Sequence, residues 1–412
     1  MKYKAVRGTR DIFGDLAKRF NFVELQAKSI FSKSGYEEIR TPIFESTEIF
    51  IRSLGEATDI VSKEMYIFKD KGDRDLALRP EGTAPLVRAV LENNLVQNGT
   101  DKRFYYIGQM FRYDRPQAGR YRQFYQIGAE IFGNKNSFLD MEIILIAVDI
   151  IQKIGINDFS LNINTVGCKK CRIEYLKVLE EYLDEKSDLC ETCKERKSKN
   201  ILRVFDCKIY GCKNILKNAP KILDFVCSDC KNDFEKLVEY LDINKTNYII
   251  DKSLVRGLDY YTGMVFEIKT DKLGSQDAIA AGGRYDNLVE EFGGGSIPAV
   301  GFAIGEDRIV EILKLQNTEI KNAKLLFFAS TDKENHVHQI LENQDIIKIL
   351  RENGFVVRYN SDGKSIKSQM KTANDMNADM VIFIEADGEF SVKNMATGEQ
   401  IKMNKENLIK SV

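Results

Sequence analysis

Two runs of aromatic and β-branched residues, separated by a basic loop, constrain the fold of this chain more than any other feature. The runs are FYYIGQMF, from residue 104, and RQFYQIGAEIF, from residue 122. The loop between them, DRPQAGRY, contains a proline and a glycine. Apolar runs of this length bounded by turn residues are typical of strands. The sequence therefore predicts two antiparallel strands joined by a long basic loop.

The length of the chain and its changes of pattern predict more than one domain. Its 412 residues exceed the roughly 250 to 300 residues over which a single core usually grows. Cysteines first appear after residue 167, where helical patterns replace strands, which predicts an inserted helical module. Near the N-terminus the pattern predicts a helix over residues 16–34, stopped by Gly35, and then a strand over 36–43.

Beyond residue 320, apolar strand-like runs alternate with helical patterns. This order predicts a small mixed or parallel sheet with covering helices. The predicted elements are the strand LLFFAS, a helix over 336–352, the strand VVRYN, a helix over 364–376 and the strand MVIFIE. We therefore predict three regions, namely 1–167 with 251–318, an insertion over 168–250, and a C-terminal domain over 323–412.

Charge and hydropathy limit the classes of function. The net charge is −1, so a nucleic-acid partner would have to contact a local basic patch. The first residues lack the apolar core of a signal peptide, and Glu142 and Asp149 interrupt the most apolar helix candidate, so we expect a soluble cytoplasmic protein with no membrane partner. Both histidines lie near the C-terminus, so chemistry upstream must use arginine, carboxylate or metal.

The predicted hairpin carries polar side chains that suit a ligand site. The arginines in or beside its loop are Arg112, Arg115, Arg120 and Arg122. Guanidinium groups suit bidentate contact with phosphate, but the same loop could contact nucleic-acid backbone or be a solvated turn. Gln126 and Glu130 alternate with apolar residues and share one strand face. That face could line a pocket or face solvent.

Three further segments combine glycine with charge. In LRPEGT, Glu81 precedes a glycine that lets a small ligand approach the carboxylate, unless Arg79 and Glu81 only pair with neighbours. The segment LVRGLDYYTGMVFEI, from residue 254, places a cation, an acid and two tyrosines in one turn. The segment 280–313 is rich in glycine and ends in a helix that begins near Arg308, yet it lacks the P-loop and dinucleotide fingerprints.

Together these motifs resemble the bacterial-type histidyl-tRNA synthetases, a family of class II aminoacyl-tRNA synthetases. The motifs are RPEGT, FRYDRPQAGRYRQFYQ, RGLDYYTG, AGGRYD and GEDR. RPEGT, RGLDYYTG and AGGRYD are specific to the family, whereas the arginines of the hairpin and of GEDR occur in class II synthetases broadly. The likeness covers essentially the whole chain. It implies an α+β catalytic domain with the class II antiparallel sheet, a helical insertion and a small C-terminal α/β anticodon-binding domain.

The resemblance also implies an activity and its partners. The expected reaction activates L-histidine with ATP, releases pyrophosphate and transfers histidine to the 3′ end of tRNA(His). Mg²⁺ is expected with ATP. A homodimer is expected, with its contact built around the first helix and the strand that ends at Pro42.

Roles for individual residues follow from the resemblance as well. Arg112 and Arg256 are expected to be catalytic, at the α-phosphate of ATP, and Arg256 would replace the metal ion used by other class members. Arg308 and Glu306 of GEDR, with Arg112, are assigned to ATP. The implied histidine site comprises Glu81, Thr83, Arg112, Gln126, Glu130, Arg256, Tyr260 and Tyr261.

Eight cysteines in the insertion predict a second kind of site. They are Cys168, Cys171, Cys190, Cys193, Cys207, Cys212, Cys227 and Cys230. In a cytosolic chain this spacing favours thiolate ligation of a metal over disulfides, and two Zn²⁺ sites would use all eight. The family does not require zinc in general. Reduced buried thiols and a redox role are therefore alternatives.

Two other interpretations of the whole chain are open. One is a catalytically silent synthetase paralogue that regulates histidine biosynthesis; such relatives generally lack the C-terminal domain and parts of the substrate site. The other is a zinc-stabilised RNA-binding protein without enzymatic activity, which would leave Glu81, Gln126 and Glu130 unexplained.

Overall fold

A computed structural model describes residues 3–55, 58–97, 100–117, 119–274, 277–320, 323–361, 364–385 and 387–411. The chain divides into two compact units, Met1–Thr318 and Glu319–Val412. Among the described residues, no helix is both long enough and apolar enough to span a bilayer.

The first unit contains the predicted hairpin and the predicted insertion. Its strands are β1 Glu37–Glu38, β2 Phe44–Ser46, β3 Tyr66–Lys69, β4 Asp75–Leu78, β5 Lys102–Phe111, β6 Gln123–Phe132, β7 Ser160–Thr165, β8 Ile249–Ile250, β9 Met264–Lys269, β10 Ala278–Arg284 and β11 Ala299–Gly305. Its α-helices are α1 Gly14–Lys33, α2 Thr47–Leu54, α3 Thr83–Glu92, α4 Ser137–Lys153, α5 Lys169–Asp184, α6 Glu191–Lys199, α7 Tyr210–Lys217, α8 Ser228–Ile243, α9 Leu288–Glu291 and α10 Glu306–Leu315.

Eight of the described strands form a large sheet in the order β1-β5-β6-β11-β10-β9-β7-β8. Neighbours from β5 to β7 pair antiparallel, and the short edge strands β1 and β8 pair parallel. The predicted hairpin is confirmed, because Lys102 pairs with Phe132 and Phe111 with Gln123. The pleat sends Ile127 and its alternate neighbours into the core beneath the sheet.

Helix α1 shows why the N-terminal pattern is helical. Phe20, Val23, Ala27 and Phe31 recur at three- and four-residue spacing and are buried against the sheet. Burial of each large apolar side chain contributes about 1.5 to 3 kcal/mol. Gly35 follows at φ 75°, a left-handed conformation that favours glycine and ends the helix.

The strand predicted over residues 36–43 is wrong in extent. Only β1 pairs with the sheet before the chain turns away. Pro42 has no N–H for a ladder, and the Thr41 carbonyl accepts a hydrogen bond from the Arg79 guanidinium at 3.0 Å instead of from a strand. The chain then enters a separate small sheet in the order β2-β4-β3, which the sequence did not predict.

The insertion is mainly helical, as predicted, and its longest helices are α5 and α8. Short 3₁₀ turns at Ile201–Asp206 and Ile222–Asp224 connect its helices. The buried residues of α5 include Tyr175, Leu179 and Leu183, which share one face at helical spacing.

The second unit is a small mixed α/β domain, as predicted. Its strands are β12 Leu325–Ser330, β13 Val356–Tyr359, β14 Met380–Ile384, β15 Phe390–Asn394 and β16 Gln400–Met403, and its helices are α11 His336–Glu342, α12 Gln344–Glu352, α13 Ile366–Asp375 and α14 Lys405–Ser411. The sheet order is β13-β12-β14-β15-β16, parallel up to β14 and antiparallel beyond.

Two details of this unit differ from the prediction. The single helix expected over 336–352 is two helices that meet at Asn343, whose side chain donates to the Gln339 carbonyl at 2.8 Å. A short amide side chain that bonds to nearby backbone competes with helix continuation. Strands β15 and β16 were not predicted, and only the former is substantially buried.

Candidate active site

A cavity of about 280 Å³ lies over strands β6, β10 and β11 of the large sheet. It brings together residues that are far apart in sequence and that were predicted to share a site. The predicted residues that line it are Glu81, Thr83, Arg112, Gln126, Glu130, Arg256, Tyr260, Tyr261 and Arg308. The polar face of β6 therefore lines a pocket, so the alternative that it faces solvent is excluded.

Two buried carboxylates form one side of this cavity. The Glu81 carboxylate accepts hydrogen bonds from the backbone N–H groups of Thr83 at 2.7 Å and Ala84 at 2.8 Å, at the start of α3. The Glu130 carboxylate accepts from the Thr83 hydroxyl at 2.8 Å and from the Tyr285 hydroxyl at 2.5 Å. Donors of the chain thus fix both carboxylates in place, and their charge suits an ammonium group.

The space for Glu130 depends on Gly301 of the neighbouring strand β11. A Cβ atom at Gly301 would lie 1.4 Å from a carboxylate oxygen of Glu130. In a close-packed interior such an overlap cannot be accommodated, so a side chain at position 301 would displace the Glu130 carboxylate from its two hydrogen bonds. Gly301 therefore allows the close approach that places this carboxylate in the cavity.

Burial raises the pKa values of both carboxylates on this side of the cavity. It raises the pKa of Glu130 to about 8, while the hydrogen bonds from Tyr285 and Thr83 lower that pKa and the nearby Glu81 raises it further. Burial also raises the pKa of Glu81, against the backbone hydrogen bonds from Ala84 and Thr83. A cation placed between these groups would favour their ionised forms.

Aromatic rings and one amide complete the amino-acid side. Tyr260 lies 4.7 Å from Tyr261 and 5.5 Å from Tyr285, centroid to centroid. The side-chain oxygen of Gln126 is buried and has no hydrogen-bond partner among the described residues, so it can accept a hydrogen bond from a ligand N–H. Tyr106 and Tyr285 also line the cavity and were missed as site residues, although Tyr285 lies in AGGRYD.

Arginines also line the cavity, and together they form its basic side. Arg112 donates from Nε to the Pro80 carbonyl at 2.9 Å and lies over the Phe124 ring at 5.3 Å. Arg256 pairs with Glu267 on β9. Arg308 donates to the Ala278 carbonyl. Burial lowers the pKa of Arg112 and of Arg308, but an arginine keeps its charge at neutral pH.

The four arginines of the hairpin divide into two pairs. Arg112 and Arg120 line the cavity, and Arg120 pairs there with Asp114. Arg122 lies over the Tyr113 ring at 3.8 Å and donates to the Asp114 carbonyl at 3.3 Å, so it stabilises the loop. Arg115 is exposed. Arg79 donates to the carbonyls of Gln109 and Thr41, so for Arg79 the alternative of pairing only with neighbours holds, whereas Glu81 lines the cavity.

Glu306 is the predicted site residue that does not line the cavity. Its side chain is fully buried, and neither carboxylate oxygen has a hydrogen-bond partner in the described part of the chain. Burial, and then the charge of Glu24, raise its pKa well above the usual range. The acid of GEDR that lines the cavity is Asp307, which accepts from the Tyr125 N–H and from Arg10, both at 2.6 Å. Successive residues at the start of a helix point in different directions, so the motif alone could not choose between them.

The eight cysteines form two groups in the insertion. The outer cysteine group comprises Cys168, Cys171, Cys227 and Cys230, and the inner cysteine group comprises Cys190, Cys193, Cys207 and Cys212. The names reflect the order in the chain, since the inner group lies between the two halves of the outer one. None of the eight forms a disulfide.

Comparison with known proteins gives the family. A family model described as "Histidyl-tRNA synthetase" matches residues 8–309, and one described as "Anticodon binding domain" matches residues 331–412. The chain belongs to the histidyl-tRNA synthetase family. The "Histidine--tRNA ligase" of Thermosipho melanesiensis is 46% identical over 99% of this chain and 97% of that protein. The protein of the same name from Thermotoga maritima is 42% identical over 98% of this chain and 97% of that protein.

Solved structures agree with this membership of the histidyl-tRNA synthetase family. The apo S. aureus histidyl-tRNA synthetase is 33% identical, covers 99% of both chains and superposes with a TM-score of 0.81. A Bacillus halodurans structure described as an ATP phosphoribosyltransferase regulatory subunit/histidyl-tRNA synthetase is 22% identical, with a TM-score of 0.66 over 93% of this chain and 99% of that one, and shows the fold alone. The predicted class II synthetase fold with a C-terminal anticodon-binding domain is confirmed.

Proposed function

We propose that this chain is a histidine–tRNA ligase that makes histidyl-adenylate and then charges tRNA(His). One observation carries the proposal: a single cavity is lined both by two fixed carboxylates and by the guanidinium groups of Arg112, Arg256 and Arg308. The first set suits the ammonium of an amino acid, and the second suits phosphate. Membership of the histidyl-tRNA synthetase family supports the assignment.

The acid side would bind histidine. Its ammonium would pair with Glu81 and Glu130, which the chain already holds in place. Tyr260 and Tyr261 would frame the imidazole. A neutral imidazole offers one donor and one acceptor, and a site that bonds both nitrogens rejects apolar analogues by roughly 10⁴ to 10⁵.

The basic side would bind ATP and promote adenylate formation. A histidine carboxylate oxygen bonds to the α-phosphorus of ATP, the bond from that phosphorus to the bridging oxygen breaks, and pyrophosphate leaves. The attacking carboxylate and the α-phosphate are both negatively charged, so Arg112 and Arg256 would offset their repulsion, and one such preorganised donor contributes about 2.7 to 4 kcal/mol. Arg308 would contact the γ-phosphate end.

Mg²⁺ is proposed to accompany ATP. This ion is held mainly through substrate phosphates and water. The described lining offers Asp114 and Asp307 as carboxylates, and arginines already engage both. We therefore assign no residue of this chain to Mg²⁺ and attribute no step to it.

In the second step a ribose hydroxyl at the 3′ end of tRNA(His) attacks the carbonyl carbon of the adenylate, and AMP leaves. The match to an anticodon-binding domain assigns the second unit to tRNA recognition in this proposal. The exposed Arg115 in the hairpin loop is a candidate contact for the tRNA backbone. We place the reaction in the cytoplasm, where tRNA is charged for translation.

The decisive experiment measures ATP/pyrophosphate exchange with each amino acid separately, and then aminoacylation of tRNA(His). Histidine alone should support exchange, and tRNA(His) should accept histidine. A catalytically silent regulatory paralogue would bind histidine without exchange. An RNA-binding protein without enzymatic activity would show neither histidine binding nor exchange. Either result would contradict the proposal.

A homodimer belongs to the same proposal. The small sheet β2-β4-β3, which follows Pro42, exposes Phe44, Ile67 and Phe68, each more than 40% accessible. The rings of Phe44 and Phe68 lie 6.4 Å apart, centroid to centroid, and such exposed apolar clusters mark association surfaces. Analytical ultracentrifugation should show a dimer that Phe44→Glu weakens. Ile401→Glu, at an equally exposed isoleucine of the second unit, should leave the dimer intact, and a wild-type monomer would contradict the proposal.

A further inference from the structure

The spacing of the sulfur atoms distinguishes metal ligation from disulfide bonding. Within each cysteine group all ligand atoms lie within 4.8 Å of one another. The sulfur atoms of Cys168 and Cys171 are 3.4 Å apart, and those of Cys190 and Cys207 are 3.9 Å apart. A disulfide requires about 2.0 Å. Tetrahedral zinc with Zn–S bonds of about 2.3 Å places its sulfur ligands about 3.8 Å apart.

The backbone around both groups favours thiolates. Cys168, Cys190 and Cys227 are the residues that cap the N-termini of α5, α6 and α8. Helix N-termini stabilise negative charge. Two backbone donors also point at sulfur: the Cys227 N–H at Cys171 Sγ, 3.1 Å, and the Cys190 N–H at Cys212 Sγ, 3.3 Å. Such outer hydrogen bonds orient metal ligands.

We propose that the outer and the inner cysteine group each bind one Zn²⁺, so that the insertion contains two structural zinc sites that position the histidine-binding turn. Among the described residues each group consists of cysteine alone. Four thiolates leave no position on the ion for water or substrate, which is the composition of a structural site.

The order of the ligands in the chain explains why two sites are useful. The outer group joins the two ends of the insertion, and the inner group closes a shorter loop within it. Each ion binds four ligands that only the folded insertion brings together, so its binding free energy stabilises the folded state. Helix α6 has only 9 residues and no buried residue besides Cys193 among its described side chains. Ligation would therefore anchor this helix, where apolar packing contributes little.

The outer group lies directly behind the turn that carries Tyr260 and Tyr261. Gly167, next to Cys168, accepts a hydrogen bond from the Gly263 N–H at 3.1 Å, and the Val166 N–H donates to the Gly263 carbonyl at 2.7 Å. Arg172, next to Cys171, donates to the Asp259 carbonyl at 3.4 Å. These bonds hold both ends of the segment 259–263. The cysteines of the outer group are positioning residues for the tyrosines, and this part of the inference rests on the proposed function.

The first experiment needs no activity and no variant. Full-length protein, purified with reductant and without chelator, is analysed for metals, and zinc is released with a mercurial thiol reagent while a zinc indicator is monitored. We expect about two zinc atoms per chain and about four thiols blocked per zinc released. Iron in place of zinc, free thiols without metal, or oxidised cysteines would overturn the proposal. One zinc per chain would overturn it for one group.

Single substitutions identify the sites. Cys171→Ser should remove the outer zinc and Cys212→Ser the inner zinc, so each variant is the matched control for the other. After Co²⁺ replaces Zn²⁺ in the wild-type chain, intense visible bands of tetrahedral cobalt thiolate should appear, and this measurement remains available if a variant fails to fold. Octahedral cobalt spectra would overturn tetrathiolate ligation.

The positioning role has its own test. In Cys171→Ser the KM for histidine in pyrophosphate exchange should rise about tenfold, with a smaller change in the KM for ATP, because a small displacement of contacting groups is costly. Equal changes in both constants, or none after loss of the outer zinc, would overturn the positioning role. A chain with two zinc atoms and no histidine-dependent exchange would overturn the proposed function and leave the zinc sites standing.

Discussion

The two sides of the cavity are built on different principles. On the acid side, chain donors occupy both oxygens of Glu81 and both of Glu130, and the residues are at least 96% buried. On the basic side, Arg112 and Arg308 contact backbone carbonyls and Arg256 contacts a carboxylate. A guanidinium has five N–H donors, so the single backbone contact of Arg112 Nε leaves others that can face a substrate.

This difference separates the carboxylates, whose hydrogen bonds also stabilise the fold, from the arginines, whose charge is proposed to act in the reaction. Removing an acid also removes hydrogen bonds that hold α3, β6 and the segment after β10 together. In the proposed mechanism, removing an arginine takes away charge that promotes adenylate formation. We therefore expect substitutions on the basic side to separate activity from stability, and substitutions on the acid side to affect both.

The largest effect on activity is expected for Arg256→Ala. Loss of a preorganised cation at the α-phosphate costs about 2.7 to 4 kcal/mol, so histidine-dependent pyrophosphate exchange should fall about 10²- to 10³-fold or more. The melting temperature should stay close to that of the wild type. Arg115→Ala, at an exposed arginine outside the cavity, is the matched control and should exchange normally. Exchange within tenfold of the wild type would show that Arg256 is not catalytic.

The same comparison explains how much the sequence could predict. The cations and acids of the cavity were named from motifs, and the hairpin from its apolar runs, because both are local patterns. Asp307 was missed in favour of Glu306, since only the packing of α10 decides which acid faces the cavity. The role of Gly301 could not be predicted from the sequence either, because it depends on the pairing of β6 with β11, which joins residues distant in sequence.

The cysteines show the same limit in another form. Their spacing predicted two groups of four but not the partners, because many pairings of paired cysteines are compatible with one sequence. Folding places the first and last pairs together around the insertion. Likewise β1 is short because Arg79, a residue far along the chain, takes the carbonyl of Thr41. Long-range contacts of this kind leave no local signal.

An intermediate effect is expected for Gly301→Ala, which tests whether the position of the Glu130 carboxylate is fixed before histidine binds. The added methyl group overlaps the Glu130 carboxylate and must displace it. Loss of a charged hydrogen bond costs about 1.5 to 3 kcal/mol, so the KM for histidine should rise about 10- to 150-fold, with a smaller change for ATP.

The control for this variant is Gly295→Ala, where an added Cβ meets no atom within 4 Å. It should leave both constants unchanged. Unlike Arg256→Ala, Gly301→Ala should also lower the melting temperature, because two hydrogen bonds to a buried carboxylate are disturbed. An unchanged KM for histidine would mean that Glu130 does not contact the amino acid.

The smallest effect is a proton linked to histidine binding. The pKa of Glu130 is about 8 in the folded chain, above the ordinary value of about 4.3, so at pH 7 the free protein keeps a proton there. This raised pKa means that the stability contributed by the group is greatest at low pH and declines as the pH rises from about 4 to 8. A bound ammonium favours the ionised carboxylate, so histidine should expel that proton.

Calorimetric titration of histidine in two buffers of different ionisation enthalpy measures this release. Wild type should release up to about one proton more than Glu130→Gln at pH 7, and the difference should vanish above about pH 9, where Glu130 is already ionised. Subtraction of the Gln variant removes the proton exchanged by the imidazole of histidine itself. Equal release by both proteins at pH 7 would show that Glu130 is ionised before histidine arrives. The acid side would then be both ionised and fixed in geometry before histidine binds. The two sides of the cavity would in that case differ less than their buried contacts indicate.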